Sequence, residues 1–162
     1  MSESMGELTE DGERRSVRFE RRLDASAEEV WSALVEPERL RRWLAEATVD
    51  AREGGSVELR FMDDSGGRVS GTIRVYDPPR VLEYDWYEGE AGSVVRFELR
   101  ATAGGTELVL EHRLLPREAA TGFAAGWHAH LEALAAALAG VPAPDWQRRY
   151  EELRPEYVAI SG

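Results

Sequence analysis

Three polar side chains fall in phase with apolar neighbours, and they are where chemistry could reside. Arg21 shares the alternation of Val17, Phe19 and Leu23, His112 continues the series Leu108 and Leu110, and His130 stands one turn from Trp127 and beside Leu134. An imidazole in an apolar cavity can orient a ligand or move a proton near neutral pH. A guanidinium can clamp a carboxylate through two parallel hydrogen bonds. Each residue also has a plainer reading: a core histidine bonded to a backbone carbonyl, or an arginine paired with an acid near the strand's end or reaching water. His128 points off the apolar stripe and is expected on the solvated surface.

Stronger chemistry finds no foothold. The chain has no cysteine and three histidines. Two of these, at an i,i+2 spacing, fall on different sides of a helix, so neither a metal site nor a thiolate nucleophile is expected. There is no glycine-rich phosphate loop and no Gly-x-Ser-x-Gly elbow, and strand carboxylates fall mostly on outward positions. No catalytic residue and no cofactor are therefore expected. A net charge of −11 repels nucleic acid. No apolar run approaches the ~20 residues that span a bilayer. The start, Met1 to Arg15, is polar and acidic, unlike a secretory signal. A cytoplasmic protein without membrane insertion is the expectation.

The elements that must position these groups follow from periodicity. With 162 residues the chain suits one domain. Residues 1–15 read as a flexible acidic tail, 16–140 as the folded domain and 141–162 as an extension with a short helix over Asp145 to Arg154. A strand runs from Val17 to Leu23. Ser26, with Glu29 three residues on, forms a capping box that opens a helix, and Pro37 ends it and opens a second short one. After Gly54-Gly55, five alternating stretches form an antiparallel meander, because connections this short cannot cross over to a parallel neighbour. Their apolar sets are Val57, Leu59, Phe61; Val69, Ile73, Val75; Leu82, Tyr84, Trp86; Val95, Phe97, Leu99; and Leu108, Leu110, Leu114. Thr121 to Leu138, with Phe123, Trp127, Leu131 and Leu134 at helical spacing, covers the dry face and stops at Gly140.

Several stretches, in this order, resemble one family. Ala25 to Trp43 (ASAEEVWSALVEPERLRRW) is similar to the opening signature of proteins like the activator of heat-shock-protein-90 ATPase. Ser70 to Trp86 resembles their central hairpin, Gly105 to His112 their last strand, and Gly126-Trp127 with Leu131 and Leu134 the start of their final helix. The resemblance, over Val17 to Gly140, implies the START/Bet v 1-like (SRPBCC) superfamily. Its fold class is α+β helix-grip: a curved antiparallel sheet, here of six strands, wraps a long C-terminal helix, with two short helices after the first strand. Such a fold leaves a cavity between sheet and helix unless large side chains fill it.

The expected ligand-binding wall is Arg21, Trp31, Trp43, Phe61, Ile73, Tyr84, Trp86, Phe97, His112, Phe123, Trp127, His130 and Leu131. Rings in such number suit a small hydrophobic or aromatic molecule, the leading expectation for function, lipid binding included. The resemblance carries two alternatives. One is a cyclase or aromatase-like enzyme acting on a polyketide-like substrate, with His112 or His130 shuttling the proton. The other is a co-chaperone-like module of the stress response. A chaperone, or a second copy of the chain docked on Trp146, Tyr150 and Leu153, would then be the partner.

Overall fold

Each boundary has a local cause. In the computed structural model, which describes residues 5–61, 67–88 and 91–161, the first long strand β2 (Arg14–Leu23) runs into α1 (Ala27–Val35). There the Ser26 side chain accepts the Glu29 backbone N–H at 3.2 Å. Pro37 opens α2 (Pro37–Leu40), where its missing N–H costs nothing. Ahead of β2 lies β1 (Glu7–Asp11); after α2 come β3 (Glu46–Val49), β4 (Ser56–Arg60), β5 (Arg68–Asp77), β6 (Val81–Glu88), β7 (Ala91–Thr102) and β8 (Gly105–Pro116). The long helix α3 (Ala120–Ala139) and a final helix α4 (Trp146–Ser161) complete the chain. Gly140 ends α3 at φ 71°, so that its N–H reaches Ala137 O and the Val141 N–H reaches Ala136 O. Only a residue free of a Cβ takes that turn cheaply.

The strands form a single antiparallel sheet in the order β1-β2-β8-β7-β6-β5-β4-β3, with α3 across its dry face. This is the helix-grip arrangement, with eight strands rather than six. Both additions are edge strands. β1 pairs Glu7 with Arg18 across a Gly12 turn, so ordered structure starts well before Ser16, and β3 pairs Glu46 with Arg60. An edge strand facing water on one side and rich in charge carries little alternation to read.

Phase shifts account for the other differences. Leu114 adopts φ 64° and is exposed, while Leu115, 1% exposed, takes the inward place expected of it. On the outer face, Asp85 is buried rather than wet and meets Arg74 at 2.7 Å, while Arg113 and Arg96 both reach Glu83. α4 continues past Pro155 because Leu153 and Tyr157, flanking the proline, are both buried in the core. No helix among the described residues is long and apolar enough to cross a membrane.

Candidate functional site

The middle of the dry face is a stack of rings. Trp86 on β6 lies 5.3 Å from Trp127 on α3 and 5.3 Å from His112 on β8, centroid to centroid. His112 meets Phe123 at 4.8 Å, Phe97 meets Trp127 at 6.0 Å, and Tyr84 stacks on Trp86 at 6.4 Å. Tyr84, Trp86, Phe97, His112 and Trp127 are all at most 3% exposed, and Ile73 and Leu131 close the layer. Where the sequence implies a wall around a space, these side chains touch each other.

His112 is held by two partners, one of which is itself anchored. The Trp127 indole can only donate, so its bond to Nδ1 at 2.9 Å makes that nitrogen the acceptor and puts the proton on Nε2. Nε2–H then donates to Ser93 Oγ at 2.7 Å, and the Ser93 hydroxyl donates to the Trp86 carbonyl at 3.2 Å. Burial pushes the imidazole down to about 3, so it stays neutral at physiological pH. A serine beside a histidine suggests a nucleophile and its base, but this histidine offers Ser93 a proton instead of taking one. The core-histidine reading is the one the geometry favours, with a hydroxyl and an indole as partners in place of a carbonyl.

His130 faces a different setting. Its Nδ1–H donates to Trp43 O at 3.0 Å, and its ring stands among Phe61 (5.9 Å), Trp127 (5.9 Å) and Trp146 (5.0 Å). Beside it opens a pocket of about 330 Å³ lined by Arg41, Arg42, Trp43, Phe61, His130 and Trp146, among others. α2 and the residues after it bring the two arginines and Trp43, the end of β4 brings Phe61, and the start of α4 brings Trp146. That tryptophan is fixed by its N–H to Gly126 O at 3.3 Å and by stacking on Tyr150 at 5.1 Å.

The remaining expected residues lie apart. Trp31 packs edge-on to Tyr76 at 5.5 Å. Arg21 is 5% exposed, with its guanidinium 5.1 Å over Phe19 and a bond to Glu20 O, on the side of α3 facing α4. Its charge acts there on His128, Glu132 and Tyr157.

His128 corrects the sequence expectation: it is 3% exposed, because α4 folds back over the helix face that carries it. Its Nδ1 lies 2.7 Å from Tyr157 Oη, which also accepts the Gly6 N–H at 2.8 Å. Burial, and then the Arg21 charge, push it down to about 4. Arg149 grips Glu132 through two bonds of 2.7 and 2.8 Å and holds that carboxyl below its usual range. Ser93, Arg41, Arg42 and Trp146 were not expected from sequence in the ligand-binding wall. Only Trp146 carried a signal, as the head of an amphipathic stripe.

Comparison with known proteins places this geometry. A family model described as Activator of Hsp90 ATPase homolog 1-like protein matches residues 24–139. The crystal structure of CalU16 from Micromonospora echinospora is 31% identical, with a TM-score of 0.75 over 96% of this chain and 94% of that one. A Bordetella parapertussis protein solved by NMR is 30% identical, with a TM-score of 0.75 over 96% of this chain and 90% of that one. DynU16, from the dynemicin biosynthetic locus, is 24% identical with a TM-score of 0.72, covering 80% of this chain and 49% of that one, which shows the fold alone. A search of curated proteins returned no match.

Proposed function

The chain belongs to the Activator of Hsp90 ATPase homolog 1-like family, and from that premise we propose that it binds a small, flat, ring-bearing molecule without transforming it. The observation that carries this reading is the pocket of about 330 Å³ with Trp43, Phe61, His130 and Trp146 in its wall. The volume lies in the range of small-molecule sites, and ring faces suit planar apolar ligands. Membership of the family is also compatible with contact to a chaperone; the ring-lined pocket is what favours a small molecule. A cyclase-like role gains no support from His112, whose nitrogens are both engaged and whose proton sits on the wrong side for a base.

Titration with 1-aminoanthracene, whose emission rises in apolar surroundings, tests the reading. One probe per chain is expected to saturate the signal. Trp146→Ala should weaken binding roughly fivefold by removing one aromatic contact, with the far-UV spectrum unchanged. Absence of saturable binding would refute the proposal.

A further inference from the structure

Trp86 is 3% exposed, and its indole Nε1–H has no hydrogen-bond partner among the described residues. Neighbouring indoles are satisfied: Trp127 on His112 Nδ1, Trp43 on Ala33 O at 2.8 Å, Trp146 on Gly126 O. A buried donor without an acceptor is costly, and phenylalanine could occupy a core position with no such cost.

The position of Trp86 says what could meet that donor. Its ring is 5.9 Å from Phe61, and Phe61 in turn lines the pocket together with His130. Trp86 therefore stands one ring behind the pocket wall. Around it are the rings of Tyr84, His112 and Trp127, with both His112 nitrogens already committed. An acceptor arriving in such a cage would be neutral, since an ionised group there would lose its hydration without gaining a counter-charge. The cations of the site, Arg41 and Arg42, are exposed and far better hydrated than the ring cage.

We propose that the ligand is a planar aromatic compound bearing a neutral oxygen acceptor, such as a ketone or quinone carbonyl, and that Trp86 Nε1–H is the donor that receives it as Phe61 turns aside. This rests on the ligand-binding reading above and narrows its chemical class.

The test uses two probes of nearly equal shape, 9-fluorenone and fluorene, of which only the first has a carbonyl. Calorimetry on the full chain should give a preference for fluorenone of roughly tenfold, the worth of one well-made buried hydrogen bond. In Trp86→Phe the ratio of the two affinities should fall to about one, as expected when that bond is removed. The carbonyl stretch of fluorenone bound to the unaltered protein should lie below its position in cyclohexane, a reading that does not depend on the variant folding. Equal binding of the two probes, a preference that survives in Trp86→Phe, or an unshifted stretch would each overturn this inference while leaving ligand binding intact. Binding of neither probe would overturn both.

Discussion

The indole of Trp127 donates to Nδ1 of His112 across 2.9 Å, tying the middle of α3 to strand β8 inside an otherwise apolar layer. A polar bond buried among rings is far more orientation-dependent than the ring contacts around it, so it specifies where along the sheet the helix sits. It also decides the tautomer of His112 and with it the inertness of the Ser93 pair.

His112 should reveal itself in the pH dependence of stability. Its pKa falls from 6.5 when unfolded to about 3 when folded. The unfolded chain therefore takes up the proton first, and the contribution of this residue is whole above pH 6.5 and lost as pH falls towards 3. For one such proton the loss is about 1.4 kcal/mol per pH unit. His112→Gln should be less stable at pH 7 by about 1–3 kcal/mol, through the indole or hydroxyl it leaves unpaired. Its deficit should shrink between pH 6 and 4. Urea denaturation at three pH values checks this, and parallel acid limbs for the two proteins would contradict it.

Tyr157 fastens the two ends of the chain. Its hydroxyl takes the Gly6 N–H and bonds His128 Nδ1, while its ring packs on Phe19. Tyr157→Phe keeps the ring and should cost about 1–3 kcal/mol by orphaning two buried groups. In hydrogen exchange the Gly6 amide should lose protection while the β7–β8 ladder keeps its own. Unchanged stability with a protected Gly6 would disprove the tie.

Two glycines should respond in opposite ways to alanine. At Gly71 a Cβ would collide with the Asp85 carbonyl oxygen on the neighbouring strand β6, so Gly71→Ala must push β5 and β6 apart. A loss above about 3 kcal/mol is expected for a clash of backbone with core. At Gly126, inside α3, a Cβ would meet Trp146 at 3.7 Å, an ordinary contact. Gly126→Ala should raise stability by about 0.5–1 kcal/mol through helix propensity. Thermal melts giving the reverse ranking would show that the β5–β6 spacing is not what it is described to be.

Much of the frame was legible because it depends on short-range rules. The Ser26–Glu29 cap, the proline at the head of α2, the Gly140 stop and the inward series on β4 to β8 all express periods of two or 3.6 residues and local backbone chemistry. What failed had no such signature. β1 and β3 are short, charged edges, and Leu114 breaks the alternation with one left-handed residue.

The candidate site was only half legible. Most of its rings could be picked as inward-facing from the period of α3, of a strand or of the helical segment after α1, but their partners could not. The β7–β8 register sets Val95 opposite His112, bringing Ser93 within reach of the imidazole. The return of α4 buries His128 and delivers Trp146 to the pocket.

The sequence alone determined most of the residues that face the dry side, where α1 and α3 begin and stop, and that the strands run antiparallel, since each of these is decided within a few neighbouring residues. Tertiary structure decided which inward side chains touch, which histidine keeps its proton on which nitrogen, and where rings leave a pocket. Those outcomes depend on groups up to 151 residues apart meeting at hydrogen-bond distance, as the Gly6 N–H and the Tyr157 hydroxyl do, and no local pattern encodes such a meeting.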